Sequence, residues 1–274
     1  MMSGRYQGKT VYITGGSSGI GLCAAKLFSS MGAHVLIVAR TVDTLQSAAS
    51  EIERHRAADG QRISWRSMDV SDREQVNSYL TEAVKEFGIP DIVINSAGQS
   101  CSQYFEKTSQ ETFDRIIRTN LYGIWNVLSF LVPFMKPSGG HIVNISSIAG
   151  FLGVFGFSAY CASKFAVIGL SQSLRSELKP HNIRVSVLCP PDTDTPMLER
   201  ENTTKPPETK ALSEGAGIMS PDAVARAMIR GMEKKRFMIL PGIEGKTIHL
   251  AYRIFPSLVE RIMESKISRV QKSH

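Results

Sequence analysis

The chain has 274 residues, of which 42% are hydrophobic and 21% charged, and a formal net charge of +7 at pH 7. This composition is that of a globular protein and excludes an intrinsically disordered chain. The sequence has no run of about 18 uninterrupted apolar residues, so we expect no membrane-spanning helix. Strand-like residues begin by Thr10, so we expect no signal peptide before the fold.

The four cysteines are widely spaced and form no Cys-x-x-Cys pair. This spacing disfavours a metal site or a disulfide framework and favours a reducing compartment. We therefore expect a cytoplasmic protein without a bound metal. The cysteines are Cys23, Cys101, Cys161 and Cys189.

Apolar, β-rich segments alternate with segments of helical periodicity. This alternation predicts a doubly wound parallel sheet that is covered by helices on both faces. The predicted strands are residues 10–14, 34–39, 63–68, 92–95, 141–146, 184–188 and 237–241. The predicted helices are residues 20–31, 42–57, 73–87, 111–135, 158–178 and 221–234.

Nothing in the sequence separates this alternation into two units, so we predict a single domain over residues 1–274. Residues 190–220 are rich in Pro, Thr, Glu and Lys, and a long polar insertion of this kind is usually a lid or a disordered loop. A C-terminal helical extension is predicted from about residue 242 to 274.

The first predicted strand runs into a glycine-rich turn and then a helix. Glycines allow a sharp turn, and they let backbone N–H groups approach a pyrophosphate at the helix N-terminus. The spacing Thr-Gly-x-x-x-Gly-x-Gly therefore predicts dinucleotide binding by a Rossmann-type fold. The residues of the turn are Gly15, Gly16, Ser17, Ser18, Gly19, Ile20 and Gly21.

The second predicted strand is followed by Arg40, where many NAD-binding chains have an acidic residue. A guanidinium suits the additional 2′-phosphate of NADPH, and Ser17 and Ser18 offer hydroxyl donors nearby. We therefore predict that NADPH/NADP+ is the cofactor. The alternative is an ordinary surface arginine on a solvated turn.

Two further strand ends are predicted to contact the cofactor. Asp69 and Val70 end the third strand and would flank the adenine. Asn95, Ala97 and Gly98 lie in the small-residue turn after the fourth strand, beside the cofactor.

Tyr160 and Lys164 are four positions apart in a predicted helix and therefore share one face of it. A nearby ammonium group favours the phenolate, so we predict that Lys164 lowers the pKa of Tyr160. A phenol adjusted in this way can transfer a proton near neutral pH. Taken alone, the pair could equally be an ordinary exposed helical pair.

Taken together, these motifs resemble the short-chain dehydrogenase/reductase superfamily over about residues 9–195. The resemblance implies a catalytic tetrad of Asn120, Ser147, Tyr160 and Lys164, with Ser146 as the alternative serine. It implies that the tyrosine donates a proton to a carbonyl oxygen that the serine also hydrogen-bonds. It further implies that the lysine holds the nicotinamide ribose and that the asparagine holds a connecting water.

One departure from the family pattern follows the sixth strand, where Pro190-Pro191 replaces the common Pro-Gly. Thr195 keeps the position from which a hydroxyl reaches the nicotinamide carboxamide. The segment from Pro190 to Pro196 and residues 201–209 resemble the reductases of 3-ketodihydrosphingosine (3-dehydrosphinganine). That resemblance implies NADPH-dependent reduction of the 3-keto group of a long-chain sphingoid base.

Other substrates and another class of function stay open at this point. A related reductase would act on a steroid, a retinoid or a 3-oxoacyl substrate. A cofactor-binding regulator without catalysis is the alternative from another class. Residues 151–157, between Ser147 and Tyr160, are almost all apolar and favour a hydrophobic ketone, although the same residues could pack on the core or on a second subunit.

The C-terminal segment is basic and amphipathic. Residues 226–274 contain eleven Lys and Arg but only four Asp and Glu. Such a segment is typical of a membrane-surface contact, and docking on the protein body or another subunit is the alternative. We expect no nucleic-acid binding, because no interleaved aromatics accompany the charges. The family resemblance implies a homo-oligomer, either a dimer or a tetramer.

Overall fold

A computed structural model describes residues 5–215 and 217–272, and seven strands in these parts of the chain form one parallel sheet. The strand order is 3-2-1-4-5-6-7. The predicted Rossmann-type architecture is therefore confirmed. The strands are β1 (Thr10–Thr14), β2 (His34–Ala39), β3 (Ile63–Ser67), β4 (Ile92–Asn95), β5 (Gly140–Ile145), β6 (Ile183–Leu188) and β7 (Met238–Ile239).

Helices cover both faces of the sheet and continue beyond its last strand. They are α1 (Gly19–Ser30), α2 (Val42–Glu53), α3 (Arg73–Phe87), α4 (Gln110–Ile117), α5 (Gly123–Met135), α6 (Ser158–Glu177), α7 (Pro196–Thr204), α8 (Pro207–Ser213), α9 (Pro221–Glu233), α10 (Glu244–Ile254) and α11 (Pro256–Gln271).

The two apolar layers follow from the alternation of side chains along each strand. Val11 and Ile13 pack on one face with Phe28 of α1. Tyr12, which lies between them in sequence, packs on the other face with Leu128 of α5. Because both faces are covered, consecutive residues of the central strands are buried, which explains their continuous apolar sequence.

Strands β2 and β3 extend the sheet on one side of β1, whereas β4 and the later strands extend it on the other side. The strand order therefore reverses between β1 and β4, which are neighbours at the centre of the sheet. In an open parallel sheet, such a point leaves a crevice at the carboxyl ends of the strands. Gly15 N donates a 2.7 Å hydrogen bond to Val38 O and thereby holds the glycine-rich turn at this edge. The crevice is therefore the natural place for a ligand.

Two predicted helices differ from the observed ones. Residues 42–57 form a helix only to Glu53, because Gln61 Oε1 accepts hydrogen bonds from Ala57 N and Ala58 N at 2.6 and 2.8 Å. Residues 111–135 are two α-helices that a π-helical turn, Arg118–Tyr122, joins. Such turns widen the helix locally and often occur at functional sites.

Residues 190–220, for which a lid or a disordered loop is expected, contain α7 and α8. Thr195 caps α7, because its Oγ1 accepts a 3.4 Å hydrogen bond from Leu198 N, and Pro196 takes the first helical position. Pro207 begins α8 in the same way. The capping residues explain why a polar segment folds into helices here.

The C-terminal extension consists of α10 and α11, which meet at Phe255 and Pro256. Helix α11 packs against α8, as expected for docking on the protein body, although no residue of α11 is completely buried. Among the described residues, no helix combines the length and apolar character that a membrane crossing requires. The extension therefore covers the lid from outside.

Candidate active site

Tyr160 and Lys164 lie one turn apart on α6, beside the carboxyl end of β5. Lys164 is 4% exposed, and its Nζ donates a 2.9 Å hydrogen bond to Ile145 O. The same nitrogen lies 5.5 Å from the centroid of the Tyr160 ring. The structure thus brings the phenol and the ammonium group together inside the crevice and not on an exposed helix face.

The two candidate serines have different surroundings. Ser147 hydrogen-bonds the Tyr160 side chain, and its Oγ also accepts a 3.1 Å hydrogen bond from Ala149 N. Ser146 is 1% exposed, and its Oγ donates a 2.9 Å hydrogen bond to Lys164 O. Ser147 is therefore the serine beside the phenol, whereas Ser146 anchors α6 to the end of β5.

Asn120 lies in the π-helical turn and is fully buried. Its Nδ2 donates to Gln99 O and to Ser163 Oγ, each at 2.9 Å, and its Oδ1 accepts from Gln99 N at 2.8 Å. A Cβ at Gly98 would lie 3.4 Å from Asn120 Oδ1 and 3.6 Å from Lys164 Nζ, so both polar atoms face the same side of this glycine. The π-helical turn thus holds the asparagine against the turn after β4, with Oδ1 near the lysine.

The prediction that Lys164 lowers the pKa of Tyr160 is wrong for this structure. Burial raises the pKa of the Tyr160 phenol well above its ordinary value, and the Glu201 carboxylate raises it further, whereas the Ser147 hydrogen bond lowers it. Burial also lowers the pKa of Lys164 to about 8. Loss of hydration outweighs the attraction between the two groups, so the phenol keeps its proton at neutral pH.

The glycine-rich turn forms a cradle that a larger residue would fill. Gly15 has a φ of +66°, and a Cβ at this position would lie 2.7 Å from Ala97 N. A Cβ at Gly21 would collide with Gly15 O. Ser18 begins α1, its side chain makes no capping hydrogen bond, and the first turn of α1 contains no acidic residue. The N-terminal amides of α1 are therefore suited to an anion such as a pyrophosphate.

Arg40 and Asp69 lie together at the edge of the crevice, where β2 and β3 end. The Arg40 side chain is 60% exposed, and its Nη1 lies 3.9 Å from Asp69 Oδ2. Asp69 Oδ1 accepts hydrogen bonds from Ser71 N and Ser71 Oγ at 2.9 and 2.8 Å. Val70 is buried, and its carbonyl accepts a 3.0 Å hydrogen bond from Asn126 Nδ2. The guanidinium is thus free to turn toward a ligand at this edge.

The turn after β4 is divided between two roles. Asn95 is 2% exposed, and its Nδ2 donates a 2.8 Å hydrogen bond to Asn144 Oδ1 on β5. Ala97 and Gly98 instead line the cavity described below. The structure therefore brings the small residues into the cavity, whereas the asparagine side chain links two strands.

The proline pair after β6 lies next to the turn that carries Ser147. Pro190 O accepts a 3.1 Å hydrogen bond from Ile148 N, and Pro191 lines the cavity. Thr195 Oγ1 donates a 3.2 Å hydrogen bond to Thr193 O, and its methyl group faces Gly19. The start of the lid is thereby held against the glycine-rich turn.

A cavity of about 640 Å³ connects the glycine-rich turn with Tyr160, the lid and α11. Its outer wall is largely apolar, and residues 151–157, between Ser147 and Tyr160, contribute three of their five large apolar side chains. Phe151 and Phe155 point elsewhere and pack on His249 and Tyr104, at ring distances of 4.9 and 6.0 Å. The apolar lining residues include Leu152, Val154, Phe157, Leu212, Val259, Ile262 and Met263.

Sequence reasoning missed the acidic residues of this cavity. Glu201, on α7, lines the cavity and is only partly exposed. Asp192 lines it as well, and its Oδ2 lies 3.8 Å from Nζ of the buried Lys205. In a Pro- and Thr-rich segment, acidic residues such as these are expected to be exposed to solvent. The fold of the lid instead places them on the cavity wall. Helical spacing after the Thr195-Pro196 cap is the one signal that could have indicated it.

Comparison with known proteins agrees with this geometry. The family described as short chain dehydrogenase matches residues 9–206. The 3-ketodihydrosphingosine reductase of Bos taurus is 40% identical over 240 residues, which cover 87% of this chain and 72% of that protein. The 3-oxoacyl-(acyl-carrier-protein) reductase of Chlamydia trachomatis is 36% identical over 202 residues, which cover 73% of this chain and 80% of that protein.

A solved structure extends the agreement to the whole fold. The short-chain dehydrogenase of Sphingobium yanoikuyae in complex with NADPH superposes with a TM-score of 0.76 and is 28% identical, and the match covers 95% of each chain. The chain belongs to the short-chain dehydrogenase family and is an oxidoreductase with a nicotinamide dinucleotide as its cofactor.

Proposed function

We propose that this protein reduces the 3-keto group of 3-ketodihydrosphingosine (3-dehydrosphinganine) to the alcohol, with NADPH as the reductant. The observation that carries the proposal is the joint placement of Tyr160 and Ser147 on the wall of a largely apolar cavity. The substrate is taken from relatives such as the Bos taurus enzyme, to which the chain is similar over most of its length. A long-chain ketone would gain about 0.8 kcal/mol for each methylene buried in the cavity.

The chain's own residues supply the proton and stabilise the developing charge. Bound NADPH supplies a hydride to the carbonyl carbon. Tyr160 donates its phenolic proton to the carbonyl oxygen, and its raised pKa keeps that proton available at neutral pH. Ser147 Oγ, which hydrogen-bonds the Tyr160 side chain, donates to the same oxygen and stabilises its negative charge.

Lys164 and Asn120 support the phenolate that remains after proton transfer. The Lys164 ammonium, 5.5 Å from the Tyr160 ring, attracts the phenolate and would hold the nicotinamide ribose. Asn120 Oδ1, which lies on the same side of Gly98 as Lys164 Nζ, would hold a water that returns a proton to the lysine. These four residues form the proposed catalytic set.

The proposed cofactor contacts follow the carboxyl edge of the sheet. The amides of Gly19, Ile20 and Gly21 at the start of α1 would bind the pyrophosphate, and Gly15 leaves room for it. Arg40 would bind the 2′-phosphate of NADPH, which an acidic residue there would repel. The remaining proposed contacts are Ser17, Ser18, Asp69, Val70, Asn95, Ala97, Gly98, Tyr160, Lys164 and Thr195.

We also propose that residues 1–274 fold as a single domain that includes the lid and the C-terminal extension. Helix α11 packs on α8 of the lid, and Val259, Ile262 and Met263 of α11 line the same cavity as Tyr160. A separate C-terminal unit would have an apolar core of its own, whereas α11 has no completely buried residue.

A homo-oligomer, as a dimer or a tetramer, is proposed to form through the surface of α4, α5 and α6. Large aromatic side chains of α4, α5 and α6 or their junctions are exposed there by 38–55%, which is unusual for a surface without a partner. A second copy of the chain is the proposed occupant of this face. The residues are Phe113, Tyr122, Trp125, Phe134 and Phe165.

The surface of α10 and α11 is proposed as a peripheral contact with an anionic lipid bilayer. Phe255, Leu258 and Ile254 are 54–60% exposed there, while other residues of α11 line the cavity. Contact with lipid would cover this apolar surface, and the basic C-terminal segment would favour anionic headgroups. A substrate with a long alkyl chain could then enter the cavity from the bilayer.

The substrate proposal is tested by NADPH consumption over a panel of ketones. We expect turnover with 3-ketodihydrosphingosine, and dihydrosphingosine as the product in mass spectrometry. Activity at least roughly tenfold lower is expected with 3-oxoacyl thioesters, ketosteroids and retinal, because a difference of about 1.4 kcal/mol in binding suffices for this factor.

Two other outcomes would contradict the substrate proposal. Preference for a 3-oxoacyl thioester would indicate the function of the Chlamydia trachomatis relative. Binding of NADPH in a thermal-shift assay without turnover of any ketone would indicate a regulator without catalysis.

Tyr160→Phe should lower kcat by roughly 100- to 10,000-fold, because the ring keeps its packing but loses the transferable proton. The affinity for NADPH, measured by its fluorescence, should change little. Tyr79→Phe is the matched control, since Tyr79 lies on α3 and outside the cavity. Retention of wild-type kcat in Tyr160→Phe would rule out the proton-donor role.

Arg40→Asp should raise the KM for NADPH by roughly 10- to 100-fold, because a carboxylate would replace a charge-assisted donor to the 2′-phosphate. The KM for NADH should change far less, which makes NADH the internal control. Steady-state kinetics with both cofactors measure the ratio. An equal rise in KM for NADPH and NADH would mean that Arg40 does not bind the 2′-phosphate.

The double variant Phe255→Ser with Leu258→Ser should lower partition onto vesicles with one-fifth phosphatidylserine by roughly tenfold or more, because two large apolar contacts are lost. Phe105→Ser is the control, since Phe105 is 77% exposed on a different surface. Co-sedimentation measures the partition. Equal binding of the double variant and the wild type would exclude this surface as the lipid contact.

A further inference from the structure

The most unusual charge in the cavity is the carboxylate of Glu201. It projects from α7 of the lid and lines the same cavity as Tyr160 and Ser147. Its negative charge acts on both Tyr160 and Lys164, which places it within electrostatic reach of the reacting carbonyl group. None of the catalytic roles proposed above requires a carboxylate at this position.

Glu201 has no cation at ion-pair distance among the residues that the structure describes. Lys205 and Arg200 act on it electrostatically. However, Nζ of Lys205 is 3.8 Å from Asp192 Oδ2 and 5.7 Å from the Phe157 ring centroid. The Ser100 hydroxyl lies beside the carboxylate but carries no charge. A carboxylate in a largely apolar cavity is costly unless a cation or several donors compensate it.

The proposed substrate contains such a cation. In 3-ketodihydrosphingosine the carbon next to the carbonyl carbon carries an amino group, which is protonated near neutral pH. When the carbonyl oxygen lies at Tyr160 and Ser147, this ammonium group is held close to the reacting centre. A partner for it must therefore be found on the cavity wall near the phenol.

We propose that Glu201 binds the ammonium group of the substrate and so selects α-amino ketones over neutral ketones. The proposal rests on the proposed reduction of 3-ketodihydrosphingosine and adds the residue that recognises its polar end. The apolar wall would bind the alkyl chain of many lipids, but a cationic lipid would also give this carboxylate a partner at ion-pair distance. A 3-oxoacyl thioester has no such group and would leave the charge buried without a partner.

The surroundings of the carboxylate support this assignment. Burial raises the pKa of Glu201, which means that the free site holds its negative charge at a cost, and Asp192 adds to this effect. Arrival of an ammonium group would remove that cost and would also offset the repulsion between Glu201 and a Tyr160 phenolate. Binding of the correct substrate would thus favour the proton transfer that follows.

The test compares two substrates that differ only in the amino group. One is 3-ketodihydrosphingosine, and the other is the analogue in which hydrogen replaces the amino group, which is smaller and introduces no steric conflict. Both are offered in mixed micelles at saturating NADPH to the wild type, to Glu201→Gln and to Glu199→Gln. Glu199 lies on the same helix but is exposed and outside the cavity, so its variant is matched in charge.

We expect Glu201→Gln to lower kcat/KM for the amino ketone by roughly 10- to 100-fold, the effect typical of a lost hydrogen bond between charged groups. For the neutral analogue the variant should equal or exceed the wild type. Glu199→Gln should leave both values within about twofold. A second readout is the Kd of the product dihydrosphingosine by calorimetry, which should rise in Glu201→Gln only.

The other outcomes distinguish failure of the proposed role of Glu201 from failure of the proposed function. An equal loss with both substrates, at an unchanged Kd for NADPH, would mean that Glu201 acts on the catalytic residues and not on the amine. No loss with either substrate would place the ammonium group elsewhere. Failure of the wild type to reduce 3-ketodihydrosphingosine would overturn the proposed function itself, independently of any variant.

Discussion

The hydrogen bond from Lys164 Nζ to Ile145 O is the contact on which the site depends. It ties α6 to the carboxyl end of β5, and the bond from Ser146 Oγ to Lys164 O ties the same two elements a second time. Because α6 is rigid, these bonds also fix Tyr160 one turn away. Burial of an ammonium group without a hydrogen-bond acceptor is unfavourable. The Ile145 carbonyl at the end of β5 accepts such a bond and thereby stabilises the buried Lys164 side chain.

Burial, rather than attraction between the two groups, dominates their protonation. Burial disfavours the charged form of each group. It therefore raises the pKa of Tyr160, which keeps its proton, and lowers the pKa of Lys164, which gives up its proton more readily. With a pKa of about 8, the lysine still keeps its charge in roughly nine-tenths of molecules at pH 7. The resting site is thus a proton donor with a cation behind it, which is the state that reduction of a ketone requires. An acidified phenol would suit the reverse direction better.

The sheet and the proximity of Tyr160 to Lys164 could be predicted from the sequence because each has a local signature. Strand alternation, the glycine-rich turn and the Tyr160–Lys164 spacing depend on a few neighbouring residues, and they lie where the fold needs them. The π-helical turn at Asn120 could not be predicted, since it depends on packing between elements distant in sequence. For the inward-facing Glu201 the sequence offers only the helical spacing after the Thr195-Pro196 cap, and its burial depends on how α7 packs. The pKa of Tyr160 was mispredicted for the same reason: a helix spacing shows which charges are neighbours but not how much water they lose.

The residues proposed for catalysis and cofactor binding and those proposed for substrate selectivity lie in different parts of the sequence. The cofactor cradle and the proposed catalytic residues all precede residue 196, whereas Glu201 and the cavity-lining residues of α8 and α11 follow it. An amphiphile bound there would meet a carboxylate near the phenol and apolar side chains such as Ile262 and Met263 toward α11. The order along the cavity therefore matches a molecule with a cationic ketone at one end and an alkyl chain at the other. Because α11 packs on α8, a change in the C-terminal extension can reach the lid that carries part of the cavity wall.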